Sequence, residues 1–176
     1  MRTFILALAI VLSFVILGTV NAAEVKIAYV NLQKALNESH AGKDAKDNMA
    51  EEIKKRQEQV DARQEELKKL KEEIDKKGAI WSKEVREQKE KEFQARSQDF
   101  QRFFLQSEDE LRKKEQEKVR EIIKELQEVV KELAKKKGYT YVFEKTEGGV
   151  IYSPDDMDLT DEVIKIYNGR YKKEKK

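Results

Sequence analysis

KEEIDKKGAIWSKEV, residues 71–85, is the one interruption in a long helical text. From Lys43 to Lys137 the chain has no proline and a single glycine, Gly78. Apolar residues on either side of that glycine mirror each other. Met49 with Leu111, Val60 with Phe100, Leu67 with Phe93 and Ile74 with Val85 all straddle residue 80. One glycine inside a helix costs only about 1 kcal/mol and does not end it. A phase change decides the matter. Ile53, Val60, Leu67, Ile74 and Trp81 repeat every seven residues, but the next terms are Gln88, Ala95 and Arg102. The apolar phase restarts at Phe93 and Phe100. A continuous parallel coiled coil keeps one phase over many heptads, whereas a hairpin resets it at the turn. The pattern predicts two antiparallel helices, about 43–77 and about 83–137, with the tip at residues 78–82 and Ser82 as N-cap.

The seam between the arms is thin. The first arm offers roughly one strong apolar residue per heptad where a coiled coil normally offers two. Arg56 and Arg63 take other inward slots, and Arg56 is expected opposite Phe104, its guanidinium on the ring. At 1.5 Å per residue, a 35-residue arm reaches about 50 Å. Such a hairpin buries little for its length.

The second helix overhangs the first. There, Val119, Ile122, Ile123, Leu126, Val129, Val130 and Leu133 form a broad apolar face at helical spacing, and Gly138 is its stop signal. The two ends of the chain supply what packs on that face. Val25–Val30 alternates and reads as a strand, followed by a short helical turn capped by Asn31 and a loop over residues 37–42. Tyr139–Phe143 reads as a second strand, turned at Gly148 and Gly149 onto a partner strand, Val150–Tyr152. A last helix starts near Asp158, with Thr160 capping and Val163, Ile164 and Tyr167 facing inward. The fold class is α+β, mostly α: a long antiparallel helical hairpin, residues 43–117, on a small β body formed by residues 23–42 and 118–176. So few residues remain for a core that the body is expected to be completed by oligomerisation.

Composition narrows the function. The chain is 41% charged, yet 37 basic residues face 35 acidic ones, which describes a solvated helix surface and excludes a dedicated nucleic-acid binder. The absence of cysteine removes disulfides, zinc thiolates and cysteine nucleophiles. The sole histidine, His40, falls in the polar loop with no partner at useful spacing. Gly148–Gly149 lacks the surroundings of a phosphate loop. No enzyme, cofactor or metal is expected. Three apolar residues resist structural accounting: Ile80 and Trp81 at the tip, and Phe103 beside the seam. They are candidate contacts for a nonpolar partner, since promiscuous sticky residues should be few and diluted by charge. The blander alternatives are a cap over the turn for Ile80 and Trp81, and arm-to-arm packing for Phe103.

The N-terminus carries an address. Met1–Thr3 is basic, Phe4–Leu17 is apolar apart from Ser13, and Val20–Asn21–Ala22 is a small-residue cleavage site. This is the layout of a secretory signal peptide, residues 1–22. A retained membrane anchor is the competing reading, and the cleavage site favours export. The basic tail of Arg170, Lys172, Lys173, Lys175 and Lys176 reads as a solubilising end, with a weak contact to anionic lipid surfaces as the minority reading.

Taken in order, the signal peptide, Ile27–Asn31, Ala41–Lys43, Ile80–Ser82, Phe93–Phe104, Lys137–Tyr139 with Val142, and Asp158–Thr160 with Val163, Ile164 and Asn168 resemble the Skp/OmpH-like periplasmic chaperones. The resemblance covers essentially the whole mature chain and rests on order and spacing. It implies a homotrimer in which strands from three chains build a barrel-like body and three hairpins hang around a cavity. It also implies a periplasmic holdase that needs no ATP and shields unfolded outer-membrane proteins from aggregation. The chain departs from the family in its tip. Lys69, Lys71, Lys76, Lys77, Lys83 and Arg86 face Glu72, Glu73, Asp75 and Glu84, so the tip is only mildly positive; the family's lipopolysaccharide site has no place on this sequence and is not carried over. The rival from another class is a membrane-anchored coiled-coil stalk or scaffold, against which the flanking strands speak. N-terminal sequencing separates the two: exported protein should begin at Ala23, and an intact Met1 in the membrane fraction would favour the stalk.

Overall fold

A computed structural model describes residues 25–174, with the side chains of the last two of these left aside. The expected signal peptide with its cleavage site, and Lys175–Lys176, lie outside the described residues. The elements run β1 (Ile27–Val30), α1 (Leu32–Glu38), α2 (His40–Lys77), α3 (Lys83–Lys137), β2 (Tyr141–Glu144), a 3-10 turn (Asp155–Met157) and α4 (Thr160–Glu174).

The arms are α2, with 38 residues, and α3, with 55. At 1.5 Å per residue they are about 57 and about 82 Å long. The chain turns where the sequence says it should. Ser82 caps α3, its Oγ accepting from the Val85 amide at 3.3 Å. At the far end Gly138 sits at φ 71°, a left-handed conformation that a side chain would resist, and its N–H closes the helix onto the carbonyls of Ala134 and Lys135.

Beyond the arms, the chain ends assemble one core. Ile122, Leu126, Val129 and Leu133 of α3 are buried together with Ala28 and Val30 of β1, Ala35 and Leu36 of α1, Ala41, Leu159, Val163 and Tyr167. Val119 is 39% exposed and marks where that face ends. The strands pair in parallel, Ile27 with Tyr141 through Val30 with Glu144, so β1 and β2 close the base of the hairpin across its whole length. A parallel pair needs such a long crossover. The other edge of β1 is met by the segment before α4: Tyr29 bridges Asp158, and the Leu159 amide donates to the Tyr29 carbonyl at 2.9 Å.

Four expectations are corrected. Val150–Tyr152 is not a strand; Ile151 and Tyr152 are 101% and 86% exposed. Glu144 explains the departure. Its side chain accepts from the amides of Leu32 and Glu147, and its carbonyl accepts from Gly148, so the chain is pinned in a turn and then leaves the sheet. Residues 37–42 are not a loop. Ser39 alone separates α1 from α2, fully buried, with its Oγ accepting from the Gly42 amide and donating to the Leu36 carbonyl, both at 3.1 Å. A Cβ on Gly42 would stand 1.7 Å from the Leu36 carbonyl oxygen, so the sharp knuckle requires glycine there. His40 therefore opens α2, and its amide donates to Asn168 Oδ1 at 2.7 Å. Thr160 is not the cap of α4. Asp158 Oδ1 accepts from the Thr160 amide at 2.8 Å, while the Thr160 hydroxyl accepts from the Asn31 amide at 2.9 Å and ties α4 to β1.

Leu126 is fully buried, whereas Ile53 of α2 is half exposed. Leu126→Ala should therefore lower the unfolding free energy by about 2–5 kcal/mol. Ile53→Ala should change it by no more than about 0.5 kcal/mol. Urea titration followed by circular dichroism reads both.

Candidate functional site

The arms touch through few apolar side chains. Val60 and Leu70 of α2 are buried; Met49, Leu67, Ile74, Phe93, Phe100 and Leu111 are half-buried. Polar contacts fill the gaps. Arg56 pairs with Glu110 at 2.9 Å, Glu52 with Lys114 at 2.6 Å and Glu66 with Arg96 at 3.7 Å, all from arm to arm. Exposed pairs of this kind contribute about 0–1 kcal/mol each.

Phe103 lies in this seam. Its ring carries two guanidinium groups from the other arm, Arg63 at 4.0 Å and Arg56 at 5.5 Å from the centroid. Arg56 was expected on Phe104; Phe104 instead packs tilted against Phe100 at 6.5 Å and stays 39% exposed. The correction has a geometric cause. The 56–110, 52–114 and 63–103 contacts are each centred on residue 83 and the 66–96 pair on residue 81, above residue 80; only the longer 56–103 contact stays at the centre of the mirror. Side chains on a helix lean toward its N-terminus. On α2 that is away from the tip and on α3 toward it, so facing residues meet with their numbers displaced upward.

At the tip, Ile80 is 81% exposed, Trp81 is half-buried and Val85 is 41% exposed. Of the three candidate contact residues, two therefore share the tip and the third stands apart under its arginines. The remaining charge is organised along single helices. Glu92 is held below the usual carboxylate range by Lys89 and then Arg96, and Asp109 by Lys113 and Arg112. These carboxylates stabilise the arms above the range where they titrate unfolded, and that contribution fades as pH falls through their depressed values.

The outer face of the sheet is a surface the sequence reading did not specify. Ile27, Tyr141 and Phe143 are 42%, 56% and 44% exposed, with the two rings of β2 stacked at 6.3 Å. Only Tyr29 on that face is covered, under the Lys145 ammonium at 4.9 Å. The alternation of Val25–Val30 signalled two faces, but only the register with β2 shows which one is left outside. In the basic tail, Arg170 is committed to Glu132 of α3 through both terminal nitrogens.

A family model described as outer membrane protein (OmpH-like) matches residues 26–167, most of the chain. The chain belongs to the OmpH-like family. A crystal structure of an OmpH-like outer membrane chaperone from Caulobacter crescentus CB15 is similar to it in fold, with a TM-score of 0.78 at 19% identity over 87% of this chain and 89% of that one. No curated protein sequence matches. Membership supports a chaperone role, and the hairpin on a small sheet is the OmpH-like architecture.

The Arg63–Phe103 contact can be tested against that architecture. Removing the guanidinium in Arg63→Gln should weaken arm pairing by about 0.5–2 kcal/mol. Amide hydrogen exchange should quicken around residues 56–63 and 100–107 and stay unchanged in the body. The same substitution at exposed Lys68 should leave the arms unaltered.

Proposed function

We propose that the mature chain is an ATP-independent periplasmic holdase that binds unfolded outer-membrane proteins between its arms and prevents their aggregation. The observation that carries this reading is the pairing of very long arms with a seam in which few apolar side chains are buried. A client without fixed shape needs a surface that adapts, and isolated apolar residues in a charged field bind weakly without self-associating. Ile80 and Trp81 at the tip are the proposed first contacts. Phe103 becomes available only when the arms part and Arg56 and Arg63 release it.

The active species in this proposal is a homotrimer. The exposed sheet face of Ile27, Tyr141 and Phe143, with Ile151 and Tyr152 beyond it, is the apolar surface that neighbouring copies would cover. Residues 23–42 and 118–176 form the assembling body and residues 43–117 the arm. Signal-peptide cleavage near Ala22 delivers the chain to the periplasm. The parallel strands that close the hairpin's base speak against a simple membrane stalk. The OmpH-like family is generally non-enzymatic, in keeping with a binding role.

The purified mature protein should sediment as three chains. It should keep a denatured β-barrel membrane protein soluble without nucleotide when trimer and client are equimolar. No suppression of light scattering by a folded trimer would overturn the holdase reading. Ile80→Ser with Trp81→Ser should weaken suppression several-fold and leave the sedimentation unchanged.

A further inference from the structure

Helix α4 changes character at Gly169. Before it the helix is core: Val163 and Tyr167 are buried, and the Tyr167 hydroxyl donates to Glu125 of α3. Around and after it the helix reaches the root of α2. Asn168 Oδ1 accepts from the His40 amide at 2.7 Å, and the Tyr171 hydroxyl donates to Asp44 Oδ2 at 3.0 Å. The His40 amide is one of the first-turn donors that α2 cannot satisfy from its own carbonyls. Helix α4 therefore supplies part of the N-terminal cap of the first arm, beside Ser39. Arg170, between these two contacts, bonds Glu132 of α3. Within one turn α4 is joined to both arms.

That bridge counts because the arms hold each other poorly there. Next to the body, α2 and α3 stand around a cavity of about 800 Å³, lined by Ala45 and Met49 of α2, Glu121 and Ile122 of α3, and Tyr167 and Tyr171 of α4. Among the described residues, the first ion pair from arm to arm is Glu52 with Lys114, and the first buried seam residue beyond it is Val60. Nothing in the packing requires a glycine at position 169. A Cβ there would meet no atom within 4 Å, and its φ is not positive. A glycine inside a helix weakens that helix relative to alanine. The weak point falls between Tyr167, which is buried in the core, and Tyr171, which bonds α2.

We propose that the stretch of α4 from Asn168 to Lys172 is a latch on the root of the first arm, and that Gly169 keeps it easy to open. Closed, the latch holds α2 against α3 beside the cavity. Open, it leaves the root of α2 held at the Ser39 knuckle, and the arm swings about that point while α3 stays fixed by its buried stripe. A helix that frays locally opens at far lower cost than the fold as a whole. The strength of this one helix end thus sets how readily the hairpin opens at its base. The inference does not depend on what the arms bind.

Two substitutions in the full-length mature protein should move one readout in opposite directions. Tyr171→Phe keeps the ring and removes the hydroxyl, and the amides of residues 44–52 should then exchange hydrogen several-fold faster. Gly169→Ala should slow the same amides by about four- to five-fold, the ratio that this change carries in an exposed helix interior. No change over residues 44–52 with Tyr171→Phe overturns the proposal. Slowing confined to α4 with Gly169→Ala overturns it too, because the glycine then has no hold on α2. An equal change over residues 122–133 also overturns it, since the substitutions then act on the whole fold. The chain has no native cysteine, so spin labels at Asn48→Cys and Glu117→Cys, diluted with unlabelled chains, give a second measurement. Their separations should spread more widely with Tyr171→Phe and less widely with Gly169→Ala; a spread that neither substitution alters contradicts the latch.

Discussion

The contact on which the rest depends is the burial of one stripe of α3, Ile122, Leu126, Val129 and Leu133, by the two ends of the chain. Fully burying each such side chain stabilises by about 1.5–3 kcal/mol. Nothing in the arms approaches that concentration: over residues 43–117 only Val60, Leu70 and the small Ser107 are buried. The hairpin therefore does not fold as a self-sufficient coiled coil that happens to carry a sheet. It is anchored by its overhang, and β1 and β2 pair only because the overhang holds the two ends of the chain side by side.

That division of labour explains the polar seam. A hairpin held at its root can tolerate a weak interface further out, and the arms use this freedom to replace leucines with arginines. The Phe103 ring under Arg56 and Arg63 is an interface that keeps its specificity, since the guanidinium groups must reach that ring, but leaves little apolar surface exposed when it opens. A leucine seam would expose a continuous sticky stripe and invite association between molecules. The ion pairs along each helix then stiffen the arms singly without gluing them together.

Local signals in the sequence were legible where a single residue performs a single job. Ser82, Gly138 and Asn31 cap the helices they were expected to cap, and the phase reset at Gly78 located the tip. The errors arose where local chemistry is overruled from a distance. Val150–Tyr152 has the composition of a strand, yet β2 is taken by β1, and Glu144 diverts the chain before it can return. Residues 37–42 carry the composition of a loop, yet one buried serine and one glycine compress the break into a knuckle. For the candidate site, the tip residues were legible because they fall where the helical repeat breaks, at the turn between the arms. The neighbours of Phe103 were not, because a mirror of residue numbers ignores the lean of side chains along each helix.

The sheet of the body is small and open on one face, and this bears on how the arms are placed. A two-stranded parallel sheet is a poor independent structure, and this one leaves Ile27, Tyr141 and Phe143 on an open face while burying Ala28 and Val30 beneath. The same residues that fold the chain end thus leave an apolar surface uncovered within the chain. The arms spring from the opposite side of that constraint, from the α3 stripe and the tyrosines of α4. Anything that covers the sheet therefore acts on the base of each hairpin without touching its seam. The arms inherit their placement from the body, while their own pairing is left to a sparse, polar seam, so the two are set by separate sets of contacts.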